Sequence, residues 1–207
     1  MDKICYSYQN EIINRFHYSS VLQPNTYSFL CVIIYWLKKL VLEENMEKSV
    51  SIQRLDINDL QAYKQIRLEL LKSEPSNFGS SFEEESLFEE QMWINRLTKK
   101  EIIAIGSFDN GLLVGIVLAV LNPRRKMKHI ATLNSVYVSR QYRRLGLAKK
   151  MIRFAIEYLK NIEIEIIRLS VVTTNKVAIK LYEQIGFITY GEEKKSIKWN
   201  DTYMDQF

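Results

Sequence analysis

From residue 47 onward the apolar and polar positions switch between two periods. Val50-Ser51-Ile52-Gln53-Arg54-Leu55 changes side at almost every residue, the pattern of a strand with one buried face. Asp56 and Asp59 then offer N-cap chemistry to a helix whose apolar stripe carries Leu60, Tyr63, Ile66 and Leu70. Pro75, Asn77 and Gly79 break it. A second helix is expected from about Glu83 to Leu97, with carboxylates in its first turns where the helix dipole favours them. Three strands follow, Glu101–Ser107, Leu112–Leu121 and His129–Val138; the Asp109-Asn110-Gly111 turn between the first two is a hairpin signal, and the series reads as an antiparallel meander.

After Val138 a polar, basic loop opens a helix from Gly146 to about Lys160, with Leu147, Met151, Phe154, Ala155 and Tyr158 along its inner stripe. A strand at Ile164–Val172, a helix from Asn175 to about Gln184 stopped by Gly186, and two strands at about Phe187–Lys198 and Thr202–Phe207 complete the pattern. The order is β-α-α-β-β-β-α-β-α-β-β, and one mixed sheet with helices on its faces is the compact solution. This is a single α/β domain over residues 46–207.

Residues 1–45 read differently. Four Tyr precede residue 28, no period holds, and the apolar run from Tyr27 to Leu42 is interrupted by Lys38 and Lys39. Its uninterrupted part is about half of the roughly 20 residues that a spanning helix needs, so stable membrane insertion is not expected. The start lacks a basic region, apolar core and small-residue cleavage site in signal-peptide order. Three readings stand: an interfacial or docking helix, a cryptic anchor, or an over-long start outside the natural fold. The third rests on Met46, where a polar start leads straight into the first strand, so Met46 is expected to be the native start.

Composition narrows the class. Charged residues at 26 % and apolar residues at 47 % are ordinary globular values, and 7 Gly with 3 Pro leave little room for linkers. Cys5 and Cys31 make no disulfide framework, which points to a reduced, cytoplasmic chain. The net charge is +5, and residues 1–46 balance four basic against four acidic side chains, so the surplus belongs to the rest. It gathers in Arg124–Lys128 and Arg140–Arg153, which favours an anionic partner. A nucleic acid is not the expected one, because neither run interleaves stacking aromatics or carries a reading motif. His17 and His129 stand apart and no Cys/His cluster has ligand spacing, so no metal is expected.

The segment Val136-Tyr137-Val138-Ser139-Arg140-Gln141-Tyr142-Arg143-Arg144-Leu145-Gly146-Leu147-Ala148 is where chemistry concentrates. A strand feeds a short basic turn and then a helix that begins with Gly and small or apolar side chains. Helix N-termini leave backbone N–H groups unpaired and carry partial positive charge, and small residues there let a phosphate approach. The residues alone also allow a solvated basic turn before a surface helix. Arg143-x-x-Gly146-x-Ala148, however, is similar to the (Gln/Arg)-x-x-Gly-x-(Gly/Ala) signature of the GNAT superfamily of acyl-CoA-dependent N-acyltransferases. Asn175-x-x-Ala178-x-x-x-Tyr182-x-x-x-Gly186-Phe187 resembles a second motif of that family at the family's spacing. Element order agrees too, over about residues 50–207.

The resemblance implies a GNAT-like fold, a mainly antiparallel mixed sheet with helices on both faces, and acetyl-CoA as acyl donor. It implies that backbone groups of Val136 and Val138, flanked by Tyr137, pair with the pantetheine arm. Arg143, Arg144, Gly146, Leu147 and Ala148 would cradle the pyrophosphate. Asn175 would hydrogen-bond the donor and Ala178 would leave room for it; Asn175, Ala178 and Tyr182 share one helical face. Tyr182 would be the general acid, giving a proton to the departing thiolate.

The match is incomplete at the base. Some members carry a Glu on the strand before the signature, whereas Ile130–Val138 offers only Thr132, Asn134 and Ser135 as polar side chains. The base is unassigned; the carboxylate candidates are Glu83, Glu84 and Glu85, with a water relay as the other route. The family places the acceptor between the first two helices and the last hairpin, here about Ser73–Trp93 and Lys194–Tyr203. The expectation is an N-acetyltransferase acting on a small-molecule or protein amine through a ternary complex, as monomer or homodimer. The alternative is a catalytically inactive acyl-CoA-binding sensor or interaction module.

Overall fold

The computed structural model describes residues 50–207 together with Ile33. The chain divides into two units, Met1–Asn45 and Met46–Phe207. The readings of residues 1–45 and of the Met46 start lie outside the described residues.

Five strands form the main sheet in the order β1-β2-β3-β4-β5: β1 (Val50–Arg54), β2 (Ile102–Asp109), β3 (Leu112–Leu121), β4 (Ile130–Val138) and β5 (Ile166–Arg168). The first four pair antiparallel, and β5 joins β4 in parallel. A parallel neighbour needs a crossover, and α4 (Leu147–Asn161) supplies it.

Alternation along the strands builds two cores. Ala104 and Phe108 of β2 pack with Leu60, Tyr63, Ile66 and Leu70 of α1 (Leu60–Ser73), while Ile103 and Ile105 pack on the opposite face with Met151, Ile152 and Ala155 of α4. β2 and β3 are covered on both faces, which is why they read as nearly continuous apolar runs.

Three expectations change in detail. The single helix over Glu83–Leu97 is two, α2 (Phe82–Ser86) and α3 (Glu90–Thr98). A reciprocal cap between Ser81 and Glu84 starts α2, and the break at Leu87–Glu89 lets both Glu85 and Trp93 enter the α1-side core. The strand at Ile164–Val172 keeps only Ile166–Arg168 in the ladder, because the chain then leaves β4. It pairs instead at Val171–Thr173 with the C-terminal residues: the Val171 N–H donates to Phe207 O at 3.1 Å and the Thr173 N–H to Asp205 O at 2.9 Å. The strand expected from Phe187 starts at Glu193, so β6 (Glu193–Trp199) and β7 (Thr202–Gln206) form a separate two-stranded hairpin rather than members of one sheet. Among the described residues no helix is long and apolar enough to cross a membrane.

Candidate active site

The site begins where two strands part. β4 and β5 pair only at Ile130–Ile166, Ala131–Ile167 and Thr132–Arg168. Beyond these residues β4 keeps its bonds to β3 as far as Val138, but its other edge meets no strand among the described residues. A row of backbone donors and acceptors on an open edge is a template for an added strand or an extended amide-bearing arm. Val136, Tyr137 and Val138 lie on this stretch.

The strand runs into the signature loop. Arg144 and Gly146 both sit in left-handed backbone, at φ 66° and 75°. A side chain with a Cβ adopts this conformation at a cost of roughly 1–2 kcal/mol, and glycine avoids the cost. A Cβ built on Gly146 meets no atom within 4 Å, so the space in front of the helix start is open. Gly146 caps α4 without any side-chain bond, and the N–H groups of Leu147, Ala148 and Lys149 have no acceptor among the described residues. Their partial positive charge, the open space and the missing Cβ together fit a phosphate.

Arg143 is occupied elsewhere. Its Nε donates to Val138 O at 3.0 Å and its Nη2 to Glu74 Oε1 at 2.9 Å, with the guanidinium 5.5 Å from the Tyr137 ring centre. It therefore braces the loop against the end of α1 rather than standing free. Tyr137 is itself tied to α1: its hydroxyl donates to Glu69 Oε1 at 2.9 Å and lies 3.1 Å from Ser73 Oγ. Burial, opposed by the Ser73 contact and reinforced by Glu69, raises its pKa.

The second motif organises α5 (Lys176–Ile185). Asn175 caps it, its Oδ1 accepting the Ala178 N–H at 3.2 Å, so the motif's Asn and Ala are linked by the helix start itself. Gly186, at φ 112°, closes the other end, its N–H donating to Tyr182 O and Glu183 O. Tyr182 packs edge-on against Phe187 at 5.9 Å, and burial pushes its pKa up to about 12. The phenol is therefore protonated throughout the neutral range. A cavity of about 360 Å³ adjoins it, lined by Ile166, Arg168, Phe187, Tyr190 and Phe207 among others; no β4 or loop residue reaches it, so it lies on the outer edge of β5.

The three glutamates separate. Glu83 is exposed and Glu84 is spent in the cap of α2. Glu85 is 1 % exposed and accepts from both Arg67 and Arg96, four bonds of 2.7–3.0 Å in all. Burial is the largest influence on its pKa and pulls it upward, but the bonds from Arg67 and Arg96 outweigh it and hold the carboxyl below its usual range. Glu85 is thus the anchor of a buried ion cluster. Arg67 and Glu69 lie outside the segments expected from the sequence, while Ser73 and Glu74 fall at the edge of the expected acceptor segment; for Arg67 one sign is present in the sequence. Arg67 falls on the apolar stripe of α1, and a charge on such a stripe calls for a buried partner.

Known proteins share this fold and parts of this sequence. Solved structures share the fold: a ribosomal-protein-alanine N-acetyltransferase from Brucella melitensis is 18 % identical with a TM-score of 0.65, covering 75 % of this chain and 95 % of that one. NAA60 of Arabidopsis thaliana in complex with acetyl-CoA is 18 % identical with a TM-score of 0.60, covering 76 % and 95 %. In sequence, the L-amino acid N-acetyltransferase AaaT of Escherichia coli is 28 % identical over 120 residues, 57 % of this chain and 74 % of that protein. N-alpha-acetyltransferase 30 of Saccharomyces cerevisiae is 25 % identical over 105 residues, 50 % of this chain and 60 % of that protein. The family model described as Acetyltransferase (GNAT) family matches residues 66–187, and the chain belongs to that family.

Proposed function

We propose that the unit Met46–Phe207 transfers an acetyl group from acetyl-CoA to a primary amine, directly and within a ternary complex. One observation carries the reading: the edge of β4 opens just past Thr132 and leads, through Val136–Val138, to a helix start whose N–H groups and missing Cβ face open space. An extended amide-bearing arm suits the edge, and a pyrophosphate suits the helix start. NAA60 of Arabidopsis thaliana, similar in fold, is solved both with acetyl-CoA and with a bisubstrate analogue, which supports the same donor.

In this reading the backbone of Val136 and the N–H of Val138, whose carbonyl already accepts from Arg143, hold the arm, and Gly146, Leu147 and Ala148 hold the phosphates with Arg144 at the rim. Arg143 acts by bracing the loop, and the Asn175 amide faces the donor from the other side. The amine nitrogen forms a bond to the carbonyl carbon as the carbon–sulfur bond breaks. Tyr182 gives its phenolic proton to the sulfur and takes one back from water; it holds that proton at pH 7, as a donor must. The proton lost by the amine leaves through water: Glu84 and Glu85 are committed, Glu83 is exposed on the first turn of α2, and β4 carries no carboxylate. The two-cysteine composition keeps the cytoplasm as the proposed setting.

Calorimetric titration of acetyl-CoA into the full chain, followed by an amine screen, tests this. Relatives' names include an L-amino acid and a ribosomal-protein alanine as acceptors, so the screen holds free amino acids and peptides with free N-termini. One-to-one binding with thiol release in the presence of an amine supports the reading. Binding with no turnover on any amine favours the sensor alternative, and no binding at all overturns the reading.

A further inference from the structure

A buried cluster reaches from three helices to the donor strand. Arg67, 5 % exposed, gives its Nε and Nη2 to Glu85, which also receives both Nη atoms of Arg96. The remaining Nη1 of Arg67 donates to Ser135 Oγ at 2.9 Å. Aromatic faces enclose the two guanidinium groups, Phe78 beside Arg67 and both Phe88 and Trp93 beside Arg96.

Ser135 is the unusual member. It stands in left-handed backbone at φ 55°, inside β4. The ladder slips there: Ile116 pairs Tyr137 but Leu118 pairs Asn134, so Val117 faces both Ser135 and Val136. This is a β-bulge, which bends a strand and re-aims the residues beyond it. A strained backbone persists only where its surroundings hold it. The bulge takes in Ser135 and Val136, at the start of the Val136–Val138 stretch with the open edge.

We infer that the Arg67–Glu85–Arg96 cluster positions the donor strand: through the bond to Ser135 it fixes the bulge that aims the edge of Val136–Val138 at the acyl donor. Arg67, Glu85 and Arg96 are positioning residues, since they act through Ser135 and β4. The inference rests on the proposed function, because it concerns how that same site holds its donor.

The test uses the full chain and two probes: acetyl-CoA, and adenosine 3′-phosphate 5′-diphosphate, which keeps the phosphate end and lacks the pantetheine arm. Ser135→Ala removes the hydroxyl and keeps the Cβ. Its affinity for acetyl-CoA is expected to fall about tenfold or more, the scale of one hydrogen bond to a charged group, while affinity for the arm-less probe stays within about twofold. Glu85→Gln, which keeps the shape of the cluster and removes its negative charge, should show the same selective loss. Melting curves recorded alongside separate folding from positioning. Unchanged acetyl-CoA affinity in Ser135→Ala overturns the inference, as does an equal loss for both probes, which marks a merely structural role. Failure of the unmodified chain to bind acetyl-CoA would instead defeat the functional reading and take the inference with it.

Discussion

The two flanks of the proposed donor site are built by different means. On the α1 side, β4 and its loop are fastened at three successive levels: Arg67 to Ser135, Glu69 and Ser73 to Tyr137, and Glu74 to Arg143. On the α5 side the links are apolar contacts and a few backbone bonds. No residue of α5 is fully buried, Val177 is 85 % exposed, and β5 holds β4 over only three residues. Directional bonds to charged groups fix geometry, whereas apolar contact fixes proximity and tolerates adjustment. The division suits the proposed reaction, in which one wall has to hold the donor in register while the other brings an acid to the sulfur.

The contrast is sharpest in stability. Glu85→Ala leaves two guanidinium groups facing each other without their shared carboxylate, and removing one member of a buried ion cluster costs about 3–5 kcal/mol. Urea denaturation should register that loss, while Val177→Ala on the other flank should stay within about 0.5 kcal/mol of the parent. Equal effects from the two substitutions would erase the distinction between the flanks. At the junction of the two, Gly146→Val should weaken acetyl-CoA binding by about a hundredfold, because it puts a branched side chain where phosphate has to approach left-handed backbone. Its cost in stability is limited to about 1–2 kcal/mol of backbone strain, since the space ahead of Gly146 is empty of protein atoms.

Tyr182 tests the α5 flank by chemistry. Tyr182→Phe should leave acetyl-CoA affinity unchanged and lower turnover by about a hundredfold, the scale of one positioned proton donor. An unaffected rate would remove Tyr182 from the mechanism and leave it as packing against Phe187. The same side chain has a signature in alkali. Its folded pKa of about 12 lies above the value of 10.0 for a free phenol, so the stability linked to its neutral form is intact below pH 10 and drains away as pH rises through 12. Two pK units correspond to about 2–3 kcal/mol, and Tyr182→Phe should lose correspondingly less stability over that interval.

Much of this is legible in the chain because it is written locally. Alternation at Val50–Leu55, the helical stripe from Leu147 to Ala155 and the glycines at 146 and 186 each report on their own few residues, and the two motifs report the family. The α1 flank is not legible, because its bonds join residues 11 to 69 positions apart in the chain and leave no period behind. Glu83, Glu84 and Glu85 form one acidic run in the sequence, yet one is exposed, one caps a helix and one is buried. Only the break at Leu87–Glu89 and the facing guanidinium groups separate their roles. The extent of the last hairpin is hidden for a similar reason. Apolar residues at Phe187, Ile188 and Tyr190 look like a strand, but they line the cavity beside β5 instead of pairing with it, while the C-terminal residues pair with Val171 and Thr173.

The smallest effect bears on the outermost fastening. Arg143 and Glu74 are 38 % and 25 % exposed at their side chains, and a pair so open to solvent contributes about 0–1 kcal/mol. Glu74→Gln should therefore leave the melting temperature nearly unchanged. It should still matter to the loop, because Arg143 would keep its bond to Val138 O and lose the carboxylate that draws its other end toward α1. A freed guanidinium beside the helix start adds positive charge where phosphates are proposed to sit, so acetyl-CoA affinity should rise by about two- to threefold at low salt and return to the parent value as salt screens the charge. A fall in affinity instead would mean that bracing the loop outweighs the released charge, and that the α1 flank holds the donor along its whole length, exposed end included.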